Sequence, residues 1–470
     1  MTDLNRSKPY SRKEFLKGTG AGLMIPFLPD FTSEPDDPIP ENSRLLLKGG
    51  SILTMDDKIG DFRQADLLIE DGIIKEISTS IETDAETVDA SGRIIMPGFV
   101  DTHRHMWQGS IRNILPNGRL SDYMQIVQGK ARPVFRPEDA YAGNLISSVG
   151  AIDAGITTIL DWSHIGNSPD HTDAAIEALD DSGVRAVYAY GSGDNTPENR
   201  HPDDLHRLLD EFFSTSESLL TPALATGINP EHWQLARELG VRITVHVNGT
   251  GDLLPVENQL GPDVTCIHCC NLLDAEWELL AEKGVGVSIA SPVEMIMGHG
   301  IPPIQQALDY GILPSLSVDV ETTVPGDMFS QMQSVFTLQR MQILARERNG
   351  EENLPDLLSA EEVLRFATIN GAIHNGLHQK TGSLTPGKEA DIIMLAKDDI
   401  NVMPVNNAYG AVVNGMDRSN VEMVMIGGEI KKWNGQLVRD DLEEINNRAM
   451  QSRAYIFEHA GLTWDLGISG

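Results

Sequence analysis

A regular alternation of strand-like and helix-like segments through the middle of this 470-residue chain constrains its fold more than any other feature. Between positions 97 and 378, short apolar runs bounded by turn residues predict strands, and amphipathic stretches between them predict helices. Eight alternations over about 280 residues match the size of an α/β fold of the (β/α)8 TIM-barrel type. A doubly wound open sheet is the alternative, but no G-x-G-x-x-G motif follows the first strand. The strands are predicted at Ile94–Val100, Thr157–Asp161, Arg185–Tyr190, Pro222–Gly227, Arg242–Val247, Thr265–His268, Gly286–Ala290 and Pro314–Val318.

The two ends of the chain have a different pattern. Residues 44–96 contain short apolar runs broken by Asp-Gly and Gly-Gly, and similar runs return in residues 379–440. Such runs predict β-hairpins. We therefore expect one small β-sandwich assembled from both chain ends, beside a barrel at 97–378 and followed by a helical tail over 441–470.

Residues 1–43 are predicted to be a signal and a linker that precede the folded domain. Five Lys or Arg residues against Asp3 and Glu14 occupy the first 17 positions, and an uncharged, mostly apolar run extends from Gly18 to Leu28. This order is typical of a secretory signal, and the segment around Arg12-Lys13 resembles a twin-arginine export motif with lysine in the second place. Export to the periplasm is the resulting hypothesis, and a cytoplasmic location with a disordered extension is the alternative.

Charge and cysteine content limit the classes of partner. The formal net charge of −33 at pH 7 argues against nucleic acid and against an anionic membrane surface, because both bind basic patches. No apolar run reaches the roughly 18 residues of a membrane-inserted helix. Cys266, Cys269 and Cys270 lie within five positions and form no disulfide framework. A small molecule is the expected partner.

The strongest chemical signal is the pair His103 and His105 at the end of the first predicted strand. Side chains alternate along a strand with a period of two, so both imidazoles face the same side, here the barrel interior. Packing gives little reason for two neutral imidazoles in that position. They suit a borderline metal ion such as zinc or iron(II).

Three further polar residues stand at the ends of predicted strands. His246 ends the fifth strand, His268 the sixth, and Asp319 follows the eighth. Each alone is compatible with a buried core histidine or a loop acid. Barrel enzymes place their chemistry at the carboxyl ends of the strands, so their joint occurrence there indicates a site.

Two longer segments carry a resemblance to a known family. Pro97–His105 resembles the first-strand signature of the amidohydrolase superfamily, and Ala367–Ala372 followed by Gly382–Asp391 resembles its closing signature. The similarity covers about residues 44–436. It is nearest to the cytosine, guanine and S-adenosylhomocysteine deaminases and to the triazine hydrolases.

The resemblance implies one divalent metal, zinc with iron(II) as the alternative, bound by His103, His105, His246 and Asp319. It implies that water activated by this metal attacks the substrate, since a divalent metal lowers the pKa of bound water from about 15.7 to about 7. Asp319 would transfer the proton, and His268 would stabilise charge on the substrate. Homo-oligomers are common in this family.

The absence of lysines bears on the number of metal ions. Some family members bridge two metals with a carbamylated lysine on a middle strand. This chain has no lysine between Lys130 and Lys283. Such a bridge is therefore excluded on the second to sixth predicted strands, and a single metal is favoured.

The chain also departs from the family pattern. Deaminases and triazine hydrolases of this type carry H-x-x-E on strand five, whereas Gly249 stands at the glutamate position here. Glu294 falls where the family has asparagine. We therefore hypothesise that Glu294 or Glu321 replaces the missing acid, and we predict that Glu294 contacts the substrate.

Other residues are weaker candidates for contact with the substrate. Trp107 and Gln108 follow the metal histidines and could stack on and hydrogen-bond a planar substrate. His164 follows the second strand and could lie at the barrel mouth. For each, packing within the wall is the alternative.

The predicted function is hydrolysis of a C–N bond, other than a peptide bond, in a small cyclic, nitrogen-rich molecule. Hydrolytic deamination is the leading subclass. Opening of a cyclic amide or lactam, or dehalogenation, is the alternative within the family. A metal-binding barrel with a lyase or isomerase step, or with no catalytic role, is the alternative outside it.

Overall fold

The computed structural model describes residues 39–40, 43–215 and 218–463. The export signal predicted within residues 1–43 lies outside the described residues, and the predicted helical tail is described to position 463. In the described part of the chain, no helix combines the length and apolar character needed to cross a membrane.

The strands fall into two groups, one from the chain ends and one from the middle. In chain order they are β1 Arg44–Ile52, β2 Phe62–Glu70, β3 Ile73–Ser78, β4 Glu86–Asp89, β5 Arg93–Pro97, β6 Phe99–Arg104, β7 Ile156–Gly166, β8 Arg185–Ser192, β9 Leu220–Ala225, β10 Arg242–Val247, β11 Val264–His268, β12 Gly286–Ile289, β13 Ser315–Leu316, β14 Ile392–Ala396, β15 Val421–Ile426, β16 Glu429–Trp433 and β17 Gln436–Leu437.

The strands from the middle of the chain form the TIM-type barrel. β6 to β13 pair in chain order, and each neighbouring pair is parallel. The circle closes where the amide of Asp319 donates to the carbonyl oxygen of His103 at 2.9 Å and the amide of His105 donates to the carbonyl oxygen of Asp319 at 3.0 Å. Barrel closure therefore joins two segments that carry predicted site residues.

The strands from the two chain ends form the second sheet. It runs in the order β17-β16-β15-β14-β5-β1-β2-β3, and β4 pairs with β1. The antiparallel contact of β14 with β5 joins the two ends of the chain. Apolar side chains from both parts, including Leu47, Ile95, Ile392 and Met425, share one core. The hydrogen-bonded sheet is continuous, and its two halves enclose this core.

One predicted strand proves to be two. The run Ile94–Val100 belongs to β5 up to Pro97 and to β6 from Phe99, so the chain passes from one sheet to the other at Gly98. A Cβ atom at Gly98 would lie 2.1 Å from Cγ2 of Thr157. Glycine is needed because the two backbones approach closely there.

Thirteen α-helices are found among the described residues, and most of them follow barrel strands. They are α1 Leu120–Tyr123, α2 Pro137–Asp153, α3 Pro169–Ser182, α4 Leu205–Phe212, α5 Pro230–Glu238, α6 Asp274–Lys283, α7 Ser291–Met297, α8 Ile304–Asp309, α9 Met328–Arg348, α10 Ala360–Phe366, α11 Ile369–His374, α12 Ala408–Gly410 and α13 Leu442–His459.

Local sequence sets several helix ends. Proline occupies the first turn of α2, α3, α5 and α7, where its missing amide leaves no lost bond. Asn229 caps α5 by accepting from two backbone amides. Gly298 ends α7 with a φ of 78°, a conformation that glycine adopts without strain. This last end faces the barrel mouth and shapes the site.

Candidate active site

Four side chains from three barrel segments converge at the carboxyl ends of the strands. Nε2 of His103 lies 3.1 Å from Oδ1 of Asp319, and Nε2 of His105 lies 3.3 Å from the same oxygen. Nε2 of His246 lies 3.2 Å from Nε2 of His103. One ligand atom from each of the four residues lies within 4.8 Å of all the others. The arrangement thus brings three imidazoles and one carboxylate to a common point.

Strand geometry explains why these side chains meet. His103 and His105 lie on the inner side of β6, while Arg104 between them turns the other way and donates to Oδ2 of Asp101 at 2.8 Å. Asp319 follows β13 with a φ of 65°, in the left-handed region that non-glycine residues rarely occupy. Strain of this kind concentrates at functional sites, where the surrounding structure maintains it.

The donor set fits a divalent metal. Nitrogen and oxygen ligands lie about 2.0–2.2 Å from zinc, so two ligands of one ion are roughly 3 Å apart, which agrees with the separations of 3.1, 3.2 and 3.3 Å found here. Nδ1 of His105 lies 2.7 Å from the carbonyl oxygen of Trp162. That bond places the ring proton on Nδ1 and leaves Nε2 as a ligand atom.

Burial keeps the three clustered histidines neutral. It lowers the pKa of His103 and of His246 well below the usual value, and the neighbouring imidazoles lower both further. It lowers the pKa of His105 to about 3, with His103 adding to the effect. A neutral imidazole is the form that binds a metal.

His268 stands beside this group and is held from behind by Glu294. Nδ1 of His268 lies 3.2 Å from Oε1 of Glu294, and its Nε2 lies 3.8 Å from Oδ2 of Asp319. Burial alone would lower the pKa of His268, but the bond to Glu294 and the charge of Asp319 raise it overall. With Nδ1–H donating to Glu294, Nε2 is the atom directed at the site. His268 has a φ of 71° and is, after Asp319, a second residue with a strained backbone at a strand end.

A cavity of about 340 Å³ opens directly onto these groups. Its size is at the lower end of small-molecule sites, which span about 300–1,000 Å³. Apolar and aromatic side chains alternate with polar ones around it. The lining residues are His105, Leu120, Tyr123, Met124, Gln128, Arg132, Trp162, His164, His246, Asn248, His268, Met297, His299, Asp319 and Val320.

Of the residues predicted to contact substrate, His164 lines the cavity. Its ring stacks on that of His105, with centroids 3.9 Å apart. Nδ1 of His164 accepts from Nε1 of Trp107 at 2.9 Å, and Nε2 lies 2.7 Å from the side-chain amide of Gln128. The ring is therefore fixed in orientation beside a predicted metal ligand.

Trp107 and Gln108 are placed behind the cavity wall rather than on it. Both are fully buried. The Trp107 ring packs edge-on against Phe135 and donates to His164, and Nε2 of Gln108 donates to the hydroxyl of Tyr123 at 2.6 Å. The expectation that they stack on and hydrogen-bond the substrate is corrected, because the 3₁₀ turn after β6 aims both side chains into the packed wall.

The two candidate replacement acids lie in different surroundings, and neither is part of the cavity lining. Glu294 is fully buried, and its Oε1 accepts from the backbone amide of Ala290 at 2.9 Å as well as facing His268. Burial raises its pKa, and the hydrogen bond from His268 opposes that rise. The prediction that Glu294 contacts substrate is therefore corrected: it contacts a residue that lines the cavity.

Glu321 faces away from the cavity. Its Oε1 accepts from Nε of Arg112 at 2.9 Å and lies 3.8 Å from Nη1 of Arg104, and its Oε2 accepts from the hydroxyl of Ser147. Burial would raise the pKa of Glu321, but the two arginines lower it overall. These bonds commit the carboxylate to the protein, so the hypothesis that Glu321 replaces the missing acid finds no geometric support.

Several cavity residues have no strong signal in the sequence. Tyr123 ends α1, Gln128 lies in the π-helical turn Met124–Ala131 that follows it, and Asn248 lies in the loop after β10. Trp162 lies on β7, with its ring centroid 4.4 Å from that of His246. His299 follows α7, and burial together with the neighbouring His268 lowers its pKa to about 4. Only His299, a histidine between two glycines, offers a local pattern that could have been noticed.

Comparisons with known proteins agree with this architecture. The sequence profile of the amidohydrolase family matches residues 94–431. A 5'-deoxyadenosine deaminase from Methanosarcina mazei is 27% identical over 436 residues, which cover 87% of this chain and 97% of the relative. A 5-methylthioadenosine/S-adenosylhomocysteine deaminase from Caldicellulosiruptor saccharolyticus is 25% identical over 427 residues, which cover 85% of this chain and 96% of the relative.

Solved structures share the fold at lower sequence identity. An adenosine deaminase from Xanthomonas campestris, with bound zinc, superimposes with a TM-score of 0.76 at 19% identity and covers 89% of this chain and 100% of its own. An atrazine chlorohydrolase from Arthrobacter aurescens, complexed with zinc, gives a TM-score of 0.76 at 22% identity and covers 88% of this chain and 100% of its own.

Proposed function

Because this chain belongs to the amidohydrolase family, we propose that it is a metal-dependent hydrolase that deaminates a small cyclic, nitrogen-rich molecule. The bond cleaved is a C–N bond outside a peptide. The observation that carries the proposal is the convergence of His103, His105, His246 and Asp319 within 4.8 Å, beside a cavity that the last three of them line.

The site is proposed to hold one divalent ion, zinc with iron(II) as the alternative. Three imidazole nitrogens and one carboxylate oxygen suit either metal. The absence of lysine between Lys130 and Lys283 supports a single ion. When bound, the ion supplies Lewis-acid activation of a water molecule at neutral pH.

Asp319 is proposed to divide two tasks between its oxygens. Oδ1 faces the ligand histidines, and Oδ2 faces His268 at 3.8 Å. Oδ2 is therefore available to accept the proton of the attacking water and to return it to the departing amine. A side chain in this position serves first as base and then as acid.

His268 is proposed to stabilise the charge that develops on the substrate. Its Nδ1–H bond to Glu294 fixes the ring with Nε2 directed at the site, and the proposed role requires a proton on Nε2. An N–H aimed at the developing negative charge in a buried site is an effective stabiliser of a transition state. Glu294 acts in this scheme as a positioning residue for His268.

The relatives narrow the class of substrate. Two of them are deaminases of adenosine derivatives, so aminated purine nucleosides are the first class to test. Gly249 stands in place of the strand-five glutamate. This favours a second candidate, the opening of a cyclic amide or dehalogenation, because the leaving group in those reactions needs a different supply of protons from the leaving amine of a deamination.

Ammonia release tests the proposal. The full chain, loaded with zinc or with iron(II) under reducing conditions, is incubated with adenosine, 5'-deoxyadenosine, cytosine, guanine, aminotriazines and aminopterins, and bound metal is counted by mass spectrometry. Ammonia release that requires the metal is the expected result. A protein that holds one metal per chain and releases no ammonia from any of these compounds would contradict deamination and favour the second candidate.

A further inference from the structure

His299 occupies an unusual backbone position at the cavity. It lies between Gly298, with a φ of 78°, and Gly300, with a φ of 146°. Both angles are in the region that favours glycine, and a Cβ atom at Gly300 would lie 2.9 Å from Cβ of Cys270. The two glycines together let the chain leave α7 and turn the His299 ring toward the cavity.

The backbone of His299 is tied on both sides. Its amide donates to the carbonyl oxygen of Glu294 at 2.9 Å. Its carbonyl oxygen accepts from Nδ2 of Asn271 at 3.0 Å. The same Nδ2 donates to the carbonyl oxygen of Asn248 at 3.2 Å. Asn271 therefore links the two loops that carry Asn248 and His299.

The polar side-chain atoms of these two residues have unused hydrogen-bonding capacity. Three buried atoms, the two ring nitrogens of His299 and Oδ1 of Asn248, have no hydrogen-bond partner among the described residues. Both residues line the cavity. Buried polar atoms are almost always satisfied, and leaving one unpaired costs about 1–3 kcal/mol. A ligand in the cavity is the natural partner.

The position of His299 relative to the catalytic candidates is also specific. Its ring meets that of His268 at a centroid distance of 4.5 Å and an angle of 62°. Asn248 directly precedes Gly249, where related deaminases have their acid. A neutral imidazole offers one N–H donor and one acceptor, and the amide oxygen offers an acceptor. The pair is complementary to an amidine edge, which consists of a ring nitrogen beside an amino group.

We propose that His299 and Asn248 bind the amidine edge of the substrate and that His299 supplies the ring-nitrogen contact for which Gly249 has no side chain. The imidazole N–H donates to the ring nitrogen, and Oδ1 of Asn248 accepts from the amino group. This inference rests on the proposed function for the identity of the reacting group. It selects 6-aminopurines and similar amidines over substrates whose ring nitrogen carries hydrogen.

Substitution of His299 tests the contact. In the zinc-loaded full chain, His299→Asn and His299→Ala are expected to lower kcat/KM for adenosine about 30-fold, mainly through a higher KM, because a bond present in ground and transition states alike is lost. Metal content and Tm stay at the wild-type values. The matched control is His232→Asn, a histidine at the same barrel end whose ring is bonded to Thr226, and it should change kcat/KM less than twofold.

Equilibrium binding gives a second readout that requires no turnover. In calorimetry with the zinc-loaded full chain, His299→Asn should bind purine riboside, which keeps the ring nitrogen and lacks the amino group, at least fivefold more weakly than wild type does. Weaker binding in the variant without ammonia release from adenosine by wild type supports the contact while contradicting deamination. Equal Kd values in wild type and His299→Asn overturn the inference, and so does a kcat/KM within threefold of wild type in both His299 variants.

Discussion

Two groups of polar side chains lie beside β6, and they differ in what they need to be complete. The front group consists of His103, His105, His246 and Asp319, and all of these except His103 line the cavity. The back group lies outside the cavity lining and consists of Asp101, Arg104, Arg112, Ser147 and Glu321.

The back group balances its own charge. Arg104 donates to Asp101, and Arg112 donates to Glu321, so two guanidinium groups face two carboxylates. The front group has Asp319 among three histidines whose pKa values burial lowers. Those rings bring no positive charge at neutral pH, and an added cation completes the group. A buried polar cluster therefore indicates a binding site only when its own side chains leave its charge or its donors unsatisfied.

The sharpest test of the front group is Asp319→Asn. The variant removes a carboxylate ligand and the proposed proton acceptor together, so ammonia release should fall about 10³- to 10⁴-fold and zinc content should drop. Kinetics and metal analysis on the same preparation check this. Activity above a tenth of wild type would show that Asp319 has neither role.

The corresponding test of the back group is Glu321→Gln, whose expected effect is on stability. It leaves Arg112 without its carboxylate and leaves Arg104 with Asp101 alone, and breaking a buried pair costs about 3–5 kcal/mol. We expect about 3 kcal/mol, since the Arg112 side chain is 30% exposed. Denaturant unfolding measures the loss, and kcat of the folded protein should stay within threefold.

A surface glutamate serves as the control for this stability test. The side chain of Glu282 is 71% exposed, and Glu282→Gln should change the free energy of unfolding by less than about 0.5 kcal/mol. If Glu321→Gln behaved like this control, or if it removed activity while leaving stability intact, the distinction between the two groups would fail.

Glu294 is a buried acid that contacts His268, the residue beside Asp319 of the front group. Glu294→Gln keeps the shape but removes the charge opposite His268, and loss of such a partner reduces activity about 10- to 100-fold. Zinc content should not change, since Glu294 does not belong to the front group. Full activity in this variant would remove Glu294 as the positioning residue for His268.

The smallest expected effect is on the pH dependence of stability, and its sign differs between the two glutamates. The pKa of Glu321 is lowered below its usual 4.5. The stabilisation that ionised Glu321 adds to the free energy of unfolding is therefore fully present above pH 4.5, and it is lost as the pH falls through the lowered pKa. The pKa of Glu294 is raised above 4.5. The stabilisation that protonated Glu294 adds to the free energy of unfolding is present below pH 4.5, and it is lost as the pH rises through the raised pKa.

Unfolding of wild type, Glu321→Gln and Glu294→Gln between pH 3.5 and 7.5 measures these slopes. The advantage of wild type over Glu321→Gln should shrink toward acid pH, and its advantage over Glu294→Gln should shrink toward neutral pH. Equal slopes for the two variants would show that the surroundings of the two acids do not differ as described.

The fold was predictable because its signals are local. Strand runs such as Arg242–Val247 coincide with the observed β10, and the parallel strands of a barrel place their carboxyl ends at one face. Histidines at those ends were therefore bound to approach one another. The split of Ile94–Val100 at Gly98 was not predictable in the same way, since it depends on the close approach of Thr157 from β7.

The cavity wall was much less predictable than the front group. Trp107 and Gln108 follow the metal histidines in sequence but point into the packed wall, while Asn248 and His299 face the cavity from separate loops. The two loops meet only because Asn271 bonds to both of their backbones. Loop direction depends on such long-range contacts and on glycine backbone angles, and the period of a strand carries no information about either.

By itself the sequence determined the barrel, the second sheet from the chain ends and the set of histidines and aspartate at the strand ends, because the side-chain period of a strand and the direction of a parallel barrel fix them. Only the tertiary structure decided which buried acid contacts a residue of the cavity wall. In the sequence, Glu294 and Glu321 are both glutamates that follow a predicted barrel strand. In the structure, Glu294 packs behind His268, whereas Glu321 is paired with Arg104 of β6 and with Arg112 of the turn after it.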